Sequence, residues 1–466
     1  MRRRGFLELA GLGAVSALTP GFSSLKLNSG NPKKAPLPNI VIILTDDLGY
    51  AGIGCQGGRG ISTPNIDSLA RDGIRCTNGY ASAPVCAPTR AGLMTGRYQN
   101  RFGYETHTGS TGRQVKEDIG VPTHEIFLPE ILQKREYKTA VIGKWHLGIN
   151  EKYRPNRRGF DEFFGFLAGD HDYYDWGPRS ANPIYRNSEI QEQPPSGPEY
   201  LTEVFSEEAV SFIERNKTRP FLLYLAYNAV HTPLEVPEKY TRHLPRTMKR
   251  KQRKVVGMTE ALDAGVGQVL GALRNNHLEE NTLVVFFNDN GGNPGVGEGI
   301  NAPLSGGKGQ LKEGGIRVPF LWRWPSRIPA GKIYSQPIIS LDVYATALAA
   351  AGQPPPRDRV IDGVNLLPHL SGQPGSPHEF LFFRHVKSYA VRKGPYKLSI
   401  DKGLGQLALY DLERDVAEKN DLSGKMPETV EGLKKALENW ESRMVPAPSE
   451  GLILSPRPKD RAKDGK

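Results

Sequence analysis

Four short apolar runs rich in β-branched residues, at 39–44, 138–142, 220–227 and 282–287, stand out along the chain. None alternates strictly with polar positions, which is the pattern of strands buried on both faces of a parallel sheet. Apolar residues at helical spacing lie between them, at 64–72, 206–215 and 255–273. The first of these helices has Thr63 as its expected N-cap, Pro64 at its first position and Gly73 just past its end. Strands alternating with helices predict an α/β fold, a central mostly parallel sheet flanked by helices. Beyond residue 379 the pattern shortens to strands at 380–384, 389–392, 396–400 and 407–411, followed by a helix at 427–444. That predicts a smaller C-terminal antiparallel-sheet-plus-helix subdomain. The expected organisation is a leader and linker over 1–36, a main domain over 37–375, the subdomain over 376–448 and a disordered tail over 449–466.

The residues after each strand carry the chemistry. The first run ends in Asp46-Asp47, the second in Lys144-Trp145-His146, the third in a segment closing on His231, and the fourth in Asp289-Asn290. In open α/β sheets ligands bind beyond the carboxyl ends of the strands, so one sheet brings all four ends to one rim. Asp46, Asp47, Asp289 and Asn290 offer only oxygen ligands, a set suited to calcium or magnesium rather than zinc. Cys86 lies just before an expected helix start at 91–94, with Arg90 close by. As a plain cysteine it would be an activated thiolate. Gly52 to Gly57 formally match a dinucleotide fingerprint, but no helix opens there and Asp46-Asp47 would repel a pyrophosphate.

Composition narrows the class. The 466 residues are 38% hydrophobic and 24% charged, ordinary for a globular protein, and the net charge of +11 is spread along the chain with a locally basic end at 457–466. No nucleic-acid motif accompanies that charge. Arg2 to Arg4 precede an apolar run at 6–18 that is too short to span a bilayer. The order Arg3-Arg4-Gly5-Phe6-Leu7 resembles a twin-arginine export signal, and an ordinary secretory signal is the alternative. A periplasmic or extracellular location without stable membrane insertion is expected. Three cysteines, Cys55, Cys76 and Cys86, leave at least one unpaired in an exported chain.

The segment from Cys86 to Arg97, CAPTRAGLMTGR, resembles the sulfatase signature Cys-x-Pro-Ser-Arg followed by Leu-Thr-Gly, with Thr89 and Met94 as mild departures. The resemblance extends over about 37–422, through blocks at 39–50, 143–148, 231–233, 288–291, 306–319, 361–372 and 410–422. It implies an alkaline-phosphatase-like fold and makes 37–375 a catalytic sulfatase domain. It further implies that Cys86 is converted to formylglycine by a formylglycine-generating enzyme. The aldehyde hydrates to a diol, one hydroxyl of which attacks the sulfur of a sulfate ester. Carried over, Asp46, Asp47, Asp289, Asn290 and residue 86 match the metal ligands, usually for calcium, with magnesium possible. Arg90 and Lys144 match groups holding the diol, His146 a proton acceptor, and His231 and Lys308 contacts to the sulfate and leaving oxygen. Asp170 and His171 lie where the family often meets its substrate, here expected to be a sulfated carbohydrate.

Two rivals are kept in view. A phosphatase or phosphonate or phosphodiester hydrolase of the same superfamily shares the tetrahedral chemistry, although the several zinc-binding histidines of a phosphatase are missing from the motifs. A catalytically silent sulfated-glycan binder would be expected to lose Cys86 or a metal aspartate, and the sequence keeps them all.

Overall fold

In the computed structural model the strands are β1 (Asn39–Thr45), β2 (Ile74–Cys76), β3 (Gly79–Tyr80), β4 (Lys138–Lys144), β5 (Glu162–Phe166), β6 (Tyr185–Arg186), β7 (Glu189–Ile190), β8 (Phe221–Ala226), β9 (Thr282–Asn288), β10 (Phe320–Arg323), β11 (Lys332–Tyr334), β12 (Ile338–Ile339), β13 (Leu381–His385), β14 (Ser388–Lys393), β15 (Tyr396–Asp401) and β16 (Gln406–Asp411). The structure describes residues 36–106, 115–177, 180–194, 197, 199–297 and 299–447, so the expected leader and the expected disordered tail lie outside the described residues.

Ten strands form one sheet in the order β11-β2-β10-β9-β1-β8-β4-β5-β6-β7. Its centre, β9-β1-β8-β4-β5, is parallel and contains all four predicted runs. Alternation along β1 explains the layers. Ile40, Ile42 and Leu44 face one apolar core, shared with Ala91 and Met94 of the helix Cys86–Thr95 and with Tyr344 and Leu348 of the helix Asp342–Ala350. Val41 and Ile43 face the other core, with Phe205 and Phe212 of the helix Leu201–Arg215 and Leu262 and Val266 of the helix Arg250–Asn275. Helices therefore cover both faces of the sheet, as expected. Among the described residues no helix is long and apolar enough to cross a membrane.

Several local expectations are corrected. Thr63 makes no side-chain cap bond. Asp263 reaches in from the Arg250–Asn275 helix instead, accepting the N–H groups of Asn65 at 3.0 Å and Ile66 at 2.8 Å. The helix expected from Ala91 starts at Cys86 itself; Pro88 fits its first turn, where a missing N–H breaks no bond. The longer helices begin at Leu201 and Arg250, five residues earlier than their predicted starts, and the C-terminal helix ends at Glu441. β10 runs antiparallel between β9 and β2, a pairing set by distant partners. Cys55, Cys76 and Cys86 are all unbridged.

The small antiparallel sheet, β13-β14-β15-β16, packs with the helix Pro427–Glu441. Phe383, Leu398, Leu437 and Trp440 share an apolar cluster with Tyr98, Leu311 and Ile316. A buried ion network reinforces this junction. Lys397 Nζ on β15 lies 2.9 Å from both Glu313 and Glu418. Glu418 in turn accepts from the backbone N–H of Glu313 at 2.7 Å and from Ser305 Oγ at 3.0 Å. Burial raises the Glu313 carboxyl, but Lys397, Arg317 and Arg392 outweigh it and hold it down at about 2. Removing one partner from a buried ion cluster leaves an uncompensated charge, at a cost of about 3–5 kcal/mol. Lys397→Met is therefore predicted to lower unfolding stability by about that amount. Urea unfolding followed by tryptophan fluorescence measures it, and a change below about 1 kcal/mol would count against the network.

Candidate active site

The parallel register sets the site. Thr45 pairs with Asn288 and Gly143 with Ala226, so Asp46, Asp289 and Lys144 leave the sheet at the same edge. Backbone bonds fix these ends: Asp46 N–H donates to Ala229 O at 2.9 Å and Asp289 N–H to Thr45 O at 3.1 Å. Asp47 and His146 then adopt left-handed φ angles of 59° and 60°. For residues other than glycine such backbone costs about 1–3 kcal/mol, and it is often found at functional sites.

Asp46, Asp47 and Asp289 bring carboxylate oxygens within 4.8 Å of one another, and Asp46, Cys86 and His231 form a second group at the same spacing. Arg90 braces the centre. Its guanidinium donates to Asp289 Oδ2 through Nε at 3.0 Å and Nη2 at 2.8 Å, and to Lys144 O through Nη1 at 2.9 Å. Lys144 Nζ lies 2.5 Å from Asp46 Oδ2. Burial raises Asp46, but Lys144, His231 and Arg90 outweigh it and hold the carboxyl well below the usual carboxylate range. Asp289 goes the other way: burial, then the neighbouring Asp46 charge, push it up to about 7.

The remaining oxygens test whether a cation fits. Asn290 donates its amide to Asp47 Oδ1 at 2.7 Å and to Gly291 O at 2.9 Å, which fixes the orientation of the group. Asn290 Oδ1, Asp46 Oδ1 and Asp289 Oδ1 are buried with no hydrogen-bond partner. Orphaned buried acceptors are expensive unless something else satisfies them. Three of them on adjacent strand ends fit a hard cation.

His231 and Lys308 line the open side. Their side chains are 16% and 19% exposed, whereas those of Asp46, Arg90, Lys144 and Asp289 are at 0%. Lys308 Nζ lies 2.8 Å from Asp47. His231 Nδ1 is 2.7 Å from Thr232 O; a carbonyl only accepts, so Nδ1 carries the proton. Burial lowers the His231 pKa, and the Asp46 charge opposes that. Two residues that sequence reasoning missed hold these loops. Tyr173 Oη lies 2.9 Å from His231 O and 2.8 Å from Asn228 O, its single proton shared between the two carbonyls. Asn301 joins Gly292, just past Asn290, to Gly306, just before Lys308. Neither lies in a motif, and neither had a local signal.

Cys86 is buried as the first residue of its helix. The expected activation of its thiol is reversed: burial raises the pKa, although Lys144 and Lys308 pull it down. The unmodified side chain is thus a poor nucleophile. His146 is fully buried, and its ring rests against Gly169. Asp170 is exposed, while His171 is 6% exposed and packs on Phe166 with ring centroids 4.8 Å apart.

The chain resembles known proteins in both sequence and fold. The sequence matches the Sulfatase family over residues 38–353, and a region described as N-sulphoglucosamine sulphohydrolase, C-terminal, over 307–443. The N-acetylgalactosamine-6-sulfatase of Canis lupus familiaris is 36% identical over 409 residues, covering 84% of this chain and 74% of that one. Arylsulfatase D of Homo sapiens is 32% identical over 443 residues, covering 78% and 73%. The crystal structure of Ps i-CgsB in complex with k-i-k-neocarrahexaose superposes with a TM-score of 0.81 at 34% identity, covering 89% of this chain and 94% of that one. The chain belongs to the sulfatase family, with its alkaline-phosphatase-like fold, and is a sulfuric ester hydrolase.

A Cβ on Gly169 would lie 2.6 Å from His146 Cε1 and Nε2, so the ring would have to move. Gly169→Ala is predicted to leave the fold intact and cut turnover about a hundredfold. Steady-state kinetics on an aryl sulfate, beside circular dichroism, measure this. Unchanged kcat would mean that the position of His146 does not matter.

Proposed function

We propose that the enzyme hydrolyses a sulfate ester on a sulfated carbohydrate, using a formylglycine made from Cys86 by a formylglycine-generating enzyme and a calcium ion. Magnesium is the alternative ion. The observation that carries the reading is the set of three orphaned oxygens, on Asp46, Asp289 and Asn290, in a cluster whose Asp46 adjoins Cys86. With Asp47 and residue 86 they would hold the cation. When present, the cation and the hydrated aldehyde supply Lewis acidity and an oxygen nucleophile.

The chain's own residues have separable tasks. Arg90, with every nitrogen bonded inside the protein, fixes Asp289 and the backbone of Lys144. Lys144, beside Asp46, favours negative charge at residue 86. Asp47, Arg90, Lys144 and Lys308, with Asp46 and Asp289, balance three carboxylates against three cations, so an added dication leaves positive charge for an anionic ester. Lys308 and His231, on the open side, contact the sulfate. His231, whose Nε2 lies 3.8 Å from Asp47, donates to the departing alcohol when protonated, a form that burial disfavours and that the Asp46 and Asp47 charges support. His146 accepts a proton when sulfate is released. Asp170 and His171 are assigned to the substrate side, of which only Asp170 is exposed. The carbohydrate assignment draws support from relatives named for N-acetylgalactosamine-6-sulfate and for a neocarrahexaose complex. Export, by the twin-arginine route, draws support from Arg3-Arg4-Gly5-Phe6-Leu7.

One digest tests both the modification and the export. Trypsin acting after Arg75 and Arg90 releases the peptide 76–90, which contains Cys76 and Cys86. In protein from the exported fraction, after reduction and alkylation, this peptide is expected to carry one alkyl group and to react with a hydrazide, and no peptide from the leader should remain. Cys86→Ala should fold and be inactive. Fully active protein with both cysteines alkylated and no carbonyl reactivity would refute the modification, and an intact leader on exported protein would refute its removal on export.

A further inference from the structure

Between Glu238 and Glu260 the chain holds no carboxylate, and seven Lys and Arg residues fall between Arg242 and Lys254. This is a local concentration of the charge that the sequence had suggested was spread out. Arg242, Arg246, Arg250 and Lys251 are exposed, and none of the four forms an ion pair among the described residues. Like charges this close repel one another. The last of them also open the helix Arg250–Asn275, whose amino end is the positive pole of its dipole and whose first turn holds no acidic residue. The other long helices place Glu203 and Glu428 there. The arrangement works against folding, and an external anion would offset it.

Hydrogen bonds show where this surface lies. Lys254 Nζ donates to Leu234 O at 2.7 Å, three residues past His231. Lys251 Nζ donates to Gly295 O at 3.3 Å, in the loop that follows Asn290. Gly292 O of that loop accepts the backbone N–H of Lys308 at 3.2 Å. The basic turn is thus tied to the loops carrying His231 and Lys308, the two residues on the open side of the site. Pro294, Ile300, Asn301, Leu304 and Gly306, among others, also line a groove of about 310 Å³.

We propose that the surface 242–254 binds neighbouring anionic residues of a sulfated polysaccharide while one sulfate ester of the same chain occupies the site beside residue 86. The proposal rests on the sulfated-carbohydrate reading above and adds to it a polymeric, multiply charged substrate. Clustered cations beside the site concentrate and orient such a chain. Nucleic acid is disfavoured because no Phe, Tyr or Trp lies between Arg242 and Lys254 to stack on bases. A membrane is disfavoured because Leu244, the one branched aliphatic residue in the run, is buried.

The test compares full-length wild-type enzyme with R242Q/R246Q/R250Q. Fluorescence anisotropy follows binding of labelled dextran sulfate, and 4-nitrophenyl sulfate reports turnover of a small ester. The variant is expected to bind dextran sulfate about tenfold more weakly, with a shallower salt dependence, since each exposed cation contributes modestly. Its kcat/KM for 4-nitrophenyl sulfate should match wild type. Unchanged dextran sulfate affinity overturns the proposal. So does equally tight binding of wild type to a DNA duplex or to phosphatidylserine vesicles. If wild type fails to turn over any sulfated saccharide yet binds dextran sulfate through these arginines, the carbohydrate reading of the site fails and the binding surface stands.

Discussion

Three carboxylates held close together away from water set the terms for the rest of this structure. With oxygens of Asp46, Asp47 and Asp289 within 4.8 Å of one another, each pair of unit charges repels by about 3–4 kcal/mol at an effective dielectric of 20. The fold tolerates this by surrounding the cluster with cations whose own positions are fixed. Arg90 comes from the first turns of a helix, Lys144 from the end of β4 and Lys308 from a loop. The protein has built a charge-balanced pocket in which three oxygens remain unsatisfied.

Rigid positioning follows from the parallel sheet. Because β9, β1, β8 and β4 are hydrogen-bonded neighbours in register, their carboxyl ends cannot drift relative to one another. The loops are held differently. Asn301 staples the segment past Asn290 to the one before Lys308, and the Glu313–Glu418–Lys397 network anchors that segment from the small C-terminal sheet. The C-terminal antiparallel sheet therefore supports the loop carrying Lys308 as well as covering apolar surface.

Much of this was legible from the residues. The central strands were readable because a strand buried on both faces leaves an uninterrupted apolar run, and the polar groups at their ends followed from the sheet. β2, β10 and β11 were not, being only three or four residues long and defined by partners far away in the chain. The first turn of the Arg250–Asn275 helix is almost wholly basic, so no apolar spacing announces it. The Thr63 cap failed because Asp263, a distant residue, took that role. The reactivity of Cys86 was misjudged for a similar reason. Sequence shows the nearby cations but not the depth of burial, and burial dominates. Tyr173 and Asn301 act through backbone carbonyls of other loops, which only the folded chain brings within reach.

The central claim is that the strand-end oxygens are arranged for one hard cation. Elemental analysis by inductively coupled plasma mass spectrometry, on active enzyme purified without chelator, tests it most directly. The account predicts about one calcium or magnesium ion per chain, lost in Asp289→Ala together with turnover. Stoichiometric zinc, or full activity in protein free of any divalent metal, would contradict it.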